Sequence, residues 1–197
     1  MTNEDHAVQQ GLLEPEDDDV APPVLGATVP VSCETAYAGE EPVRPINWNL
    51  LTADEAEVEW LDLNTWVNWL RTTYGLPPTV VPPFWHRHDE LVWELSALHT
   101  HWLNAYDPDG SPSAPLAWHR DFSDARNRLR EWVSTCGTRL DRDRATRQST
   151  WPGEPTAKAA AEIVIEDRDA DFVQFVLDDV TARRRIEEQA RAITRAS

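Results

Sequence analysis

Ten tryptophans stand in this 197-residue chain, and all ten lie between positions 48 and 151. Each indole buries roughly 150–250 Å² when packed. Residues 47–155 are therefore expected to form one ordered, Trp-rich domain. Residues 1–46 are different in kind: they hold ten acids against one base, with Pro15, Pro22, Pro23, Pro30, Pro42 and Pro45 interspersed. Such a segment is too charged and too poor in aromatics to collapse, and it reads as a disordered acidic arm. The alternative is an arm that mimics nucleic acid or docks on a basic partner.

Within the domain the apolar residues recur at helical spacing. Thr52 and Glu55 form a capping box, and Ala56, Trp60, Leu63, Val67, Leu70 and Tyr74 follow at steps of three and four until Gly75, Pro77 and Pro78 end the helix. A second stripe comprises Leu91, Leu95, Leu98, Trp102 and Ala105; a third comprises Trp118, Phe122, Ala125, Leu129, Trp132 and Cys136, stopped by Gly137. Three stripes joined by short turns predict an all-α, three-helix up-down-up bundle. The polar stretch Thr138–Pro155 is expected to be irregular, with Trp151 folding back on the core.

Residues 156–168 read as a linker. Asp169 opens a further amphipathic helix over 169–197, with Phe172, Val176, Val180, Ile186, Ala190 and Ile193 on its apolar side. A helix this apolar needs something to cover it: the bundle, a second copy giving a homo-oligomer, or another protein. The sequence does not choose among the three.

Two cysteines, Cys33 and Cys136, offer neither a disulfide framework nor a cysteine-rich zinc site. The start lacks the basic and apolar regions of a signal peptide, and no stretch approaches the roughly 20 apolar residues that span a bilayer. The expectation is a cytoplasmic protein with no membrane insertion. Seventeen of the eighteen basic residues are Arg, in keeping with a GC-rich bacterial genome.

Candidate chemistry is sparse, and no motif implies a cofactor. Five histidines lie in the domain, but His99 and His101 are two apart on a helix and point away from each other. If helices two and three run antiparallel, His99 or His101 could approach His119 and Asp121 as a metal site; a hydrogen-bonded boundary histidine is the commoner role. Glu90 and Glu94 share a helical face and could be an acid–base pair, although the hydrated side of the helix accounts for them. The sequence Trp85, His86, Arg87, His88 is echoed by Trp118, His119, Arg120, Asp121, each near a helix start. The echo marks either a paired binding surface or, as we favour, two helix entries stapled by Trp and capped by His or Asp. Trp66, Trp69 and Trp93 fall outside the main stripes and are candidate surface tryptophans. Arg126, Arg128, Arg130, Arg142, Arg144 and Arg147 belong to a locally basic run that could contact nucleic-acid phosphates. Its interleaved aspartates and a net charge of −17 argue for salt-bridged surface instead.

The stretch NWLRTTYGLPPTVVPPFWHRHDELVWELSALHTHWLNAYD, with SAPLAWHRDFSDARNRLREW and RLDRDRATRQSTWPGE after it, resembles an actinobacterial domain family of unknown function, number 4913, over Asn47–Pro155. That family has no established activity, so the resemblance implies no catalytic residue. It implies a setting: accessory proteins of plasmids, conjugative elements and phages in actinobacteria. The expected function is a non-catalytic protein–protein interaction role. A nucleic-acid-associated factor is the alternative, and a metal-dependent enzyme of unstated reaction comes third.

Overall fold

The computed structural model describes residues 44–155 and 161–196. The acidic arm expected to be disordered lies outside them, except for its last three residues, as does part of the expected linker. Four helices carry the fold: α1 (Ala53–Thr73), α2 (Asp89–Ala105), α3 (Ala114–Thr135) and α4 (Arg168–Ala196). A single 3-10 turn, Trp85–Arg87, precedes α2, and two short strands, β1 (Arg142–Asp143) and β2 (Ile163–Val164), pair antiparallel with Asp143 opposite Ile163. The domain is thus all-α apart from one minimal strand pair, and β2 falls inside the stretch read as linker. No helix among the described residues is long and apolar enough to cross a membrane.

The start of α1 follows its sequence signal. Thr52 Oγ1 accepts from the Glu55 amide at 3.3 Å, and the Glu55 carboxylate accepts from the Thr52 amide at 2.8 Å. The helix ends where Gly75 enters the left-handed region at φ 57°, a conformation that glycine adopts without steric cost. Leu76 N–H then returns to the Arg71 carbonyl at 3.0 Å.

Helix α1 is covered on two sides. On one side α4 packs against it antiparallel, burying Phe172, Val176 and Val180. The register is read from its polar contacts: Trp60 Nε1 donates to Asp179 at 3.0 Å, and the Arg183 guanidinium donates to the Trp48 and Leu51 carbonyls at 2.9 Å each. Glu187 accepts from the Ala53 amide at 2.7 Å, taking up one of the donors that a helix N-terminus leaves open. Of the three covers the sequence allowed, the described structure therefore uses the bundle itself. On the other side, Trp66 and Trp69 meet α2, with Trp66 stacked on His99 at 4.8 Å and Trp69 set 5.0 Å from Trp102. Helices α2 and α3 pack antiparallel in turn, tied by Arg128 to Glu94 at one end and by His101 to Asp121 at the other.

Three expectations about individual apolar residues need correction. Trp132, placed on the buried stripe of α3, is 44% exposed, and Trp151 stands 74% exposed instead of capping the core. On α4 the buried line runs from Phe172, Val176 and Val180 into the half-buried Arg183 and Glu187, leaving Ile186 and Ile193 exposed. Polar contacts with the start of α1 take over there, so the apolar stripe and the docked face part company.

Truncating Phe172 to Ala should cost about 3–5 kcal/mol, because it removes a buried ring from the α1–α4 seam. Val173→Ala, one residue on and 55% exposed, should cost under about 0.5 kcal/mol. Urea denaturation of both variants checks this, and equal effects would mean that α4 does not dock through this face.

Candidate functional site

The sequence Trp85–His88 folds into the junction where α2, α4 and β1 meet. Phe84, Trp85, His86 and His88 are all almost fully buried, so three of the four residues singled out as a possible surface form interior structure. Only Arg87 keeps part of its side chain in solvent, at 27%.

Two carboxylates from distant parts of the chain serve this turn. Asp171, at the start of α4, accepts from His86 Nε2 at 2.9 Å and from Arg87 Nε at 2.8 Å, and it also pairs with Arg87 Nη2. Burial works to raise the Asp171 carboxyl, but the hydrogen bonds from Arg87 and His86 outweigh it and hold the group below its ordinary value. For His86 burial wins: despite Asp171, desolvation pushes the imidazole down to about 4. The neutral ring then carries its hydrogen on Nε2, toward Asp171, and leaves buried Nδ1 without a partner among the described residues.

His88 occupies a second, separate network. Its Nε2 lies 2.8 Å from Asp143 Oδ1, and its Nδ1 lies 2.9 Å from Thr146 Oγ1. The Thr146 hydroxyl in turn reaches Glu90 Oε1 at 2.6 Å. An aspartate, imidazole and hydroxyl in line resemble a nucleophile with its base. Here, however, the threonine hydroxyl is taken up by Glu90 and the His88 side chain is 0% exposed, so no substrate reaches it. What the arrangement does is bind β1 to the start of α2. His88 is the residue before α2, yet its side chain makes no capping bond, which corrects the expectation that the histidine caps the helix. Gly137 permits the close approach, since a Cβ there would fall 2.2 Å from the Arg144 carbonyl oxygen.

The echo at Trp118 is different. Trp118 is fully buried and stacks on Phe122 at 4.8 Å, while His119 and Arg120 face solvent. The two tetrads therefore do not form one paired surface. Trp66 is buried and Trp69 half-buried, for they point at α2 instead of solvent. Trp93, at 38% exposure, is the one of the three that reaches the surface. It lines a groove of about 350 Å³ with Pro45, Ile46, Ala97, Thr100, His101 and Asn104.

The residues considered for a metal do not converge. His99 is wedged between the Trp66 and Trp102 rings, His101 pairs with Asp121 at 3.2 Å, and His119 lies 3.4 Å from the Tyr106 hydroxyl. Among the described residues no three His, Cys, Asp or Glu side chains gather in a way that could hold an ion. Burial pushes His99 down to about 4 as well.

Several arginines of the basic run are engaged locally. Arg128 pairs with Glu94 at 2.7 Å, Arg142 pairs with Asp141 and Glu162, and Arg130 donates to Asn127 at 2.9 Å. Arg126 lies over the Phe122 ring at 5.8 Å, and Arg147 is exposed. Arg144 is half-buried beside a cavity of about 240 Å³ that Arg87, Asp143, Ala145, Ala161, Ile163 and Phe175 also line. Sequence reasoning singled out His86, Arg87 and His88 within a longer motif but missed Asp171, Asp143 and Thr146 as their partners. Their pairings span 55, 58 and 85 residues, and no local spacing encodes them.

Comparison with protein-family models, with curated proteins and with solved structures finds no match to this chain.

The two depressed histidines set a pH dependence. Each binds its proton near 6.5 when unfolded and near 4 when folded, so between these values the unfolded chain holds more protons and stability falls as pH falls. The loss from pH 6.5 to 4 should be on the order of a few kcal/mol. Urea titrations at stepwise pH check this. His99→Phe, which keeps a ring between Trp66 and Trp102, should flatten the profile; a wild-type profile that is already level would refute the burial argument.

Proposed function

We propose that the protein is a non-catalytic interaction module that grips a protein partner through the α2 groove around Trp93. The observation that carries this reading is a large, partly exposed indole set in a concave surface with apolar neighbours and hydrogen-bonding groups. Tryptophans at such positions supply much of the binding energy in protein interfaces. Trp93, Ala97, Thr100 and Asn104 follow one another at steps of four, three and four, so a single helical face presents them. The buried rings are accounted for by the core, whereas Trp93 makes no ring contact or hydrogen bond among the described residues and lines the groove instead.

The resemblance to the actinobacterial family adds a setting: an accessory protein of a plasmid, conjugative element or phage, working in the cytoplasm. The nucleic-acid reading has less support, because Arg128 and Arg142 spend their charge on neighbouring carboxylates. It requires an affinity that drops steeply with salt.

Tagged full-length protein recovered from its host at low salt should retain a protein partner after nuclease treatment. Trp93→Ala should weaken that partner's binding by at least about tenfold, as hot-spot truncations do, without shifting the thermal midpoint by more than a few degrees. Partners lost on nuclease treatment and indifferent to Trp93→Ala would overturn the proposal in favour of nucleic acid.

A further inference from the structure

A guanidinium is never neutral at physiological pH, so a half-buried arginine without an anion demands an explanation. Arg144 is such a residue. Its Nε is buried and has no hydrogen-bond partner among the described residues, and no described carboxylate comes within ion-pair distance of it. It borders the cavity of about 240 Å³ at the strand pair. Arg87 borders the same cavity and is held in place by Asp171 through Nε and Nη2, with its other N–H groups left over. One acid, Asp143, also lines the cavity, but its Oδ1 is occupied by His88. Arg87 is thus ion-paired with Asp171, whereas Arg144, beside an Asp143 that already accepts from His88, forms no ion pair among the described residues. Ala145, Ala161, Ile163 and Phe175 supply the remaining, apolar wall.

We infer that this cavity is a binding site for the phosphate group of a small phosphorylated molecule, held between Arg87 and Arg144 with its organic portion against Ile163 and Phe175. Guanidinium forks match the oxygens of a phosphate, and two at one cavity can give several charge-assisted hydrogen bonds. The volume suits a monoester with a small substituent. The inference is independent of the Trp93 groove, which lies on α2 and shares none of these residues.

The test follows the Arg144 Nε–Hε resonance of the full chain by NMR as inorganic phosphate is added, with potassium chloride of equal ionic strength as the reference. Phosphate should shift the resonance saturably and chloride should not. Phenyl phosphate should bind more tightly than inorganic phosphate because the apolar wall meets its ring. By calorimetry, Arg144→Gln should weaken phenyl phosphate by at least about tenfold, the loss expected on removing a charge-assisted contact. Arg142→Gln, which alters the neighbouring surface pair, should leave the affinity within about twofold. Should Arg144→Gln fail to fold, Ala161→Leu fills the cavity while sparing both guanidiniums, and it should abolish binding. Equal shifts in phosphate and chloride, or equal losses in the Arg142 and Arg144 variants, would overturn the inference. So would an oligothymidylate that binds more tightly than phenyl phosphate with a steep salt dependence, since that would make the site part of a nucleic-acid surface.

Discussion

A polar group carried into an aromatic core costs free energy unless it finds a partner, and two carboxylates of α4 serve four such groups. Asp179 takes the Trp60 indole hydrogen and the Arg183 guanidinium, and Asp171 takes His86 and Arg87. Without them, Trp60 and the Trp85–Arg87 turn would present unsatisfied donors to a low-dielectric interior, at a cost of about 1–3 kcal/mol each. The apolar contacts of Phe172, Val176 and Val180 drive α4 onto α1, but the carboxylates fix where along α1 it stops. The Trp85–Arg87 turn, held through Asp171, shares that register.

Much of this was legible in the chain itself. The Thr52–Glu55 box, the Gly75 stop and the three apolar stripes each rest on contacts within one or two helical turns, where spacing and structure are tightly coupled. A stripe describes one buried face, and α1 has two, so Trp66 and Trp69 looked surplus until α2 was seen to cover them. Trp132 was misjudged because the buried line of α3 runs through Leu129, Val133 and Cys136, one position round the helix from it. The polar interior was least legible. Asp143 and Asp171 sit among many similar acids, and only a partner 55 or 85 residues away distinguishes them.

The domain also separates rigidity from exposure. Its buried histidines and their acids lie at one junction, walled in by Trp85, Phe172 and Phe175, while the groove around Trp93 sits on the outer side of α2. A surface built on a helix whose start is held by the His88 network needs little ordering when something binds to it, which lowers the entropy cost of association.

The α1–α4 seam also bears on how the chain emerges from the ribosome. Trp60 and its partner Asp179 are 119 residues apart. At about 5–20 residues per second, roughly 6–24 s pass between the synthesis of one and the other. Throughout that interval the side of α1 bearing Trp60 has no α4 to cover it, although α2 and α3 can already pack on the other side. The nascent protein is therefore a half-covered bundle with an aromatic face open to its surroundings, and the final helix acts as its closing step. Holding that face apart from other nascent chains until α4 arrives is a task for whatever binds the growing polypeptide.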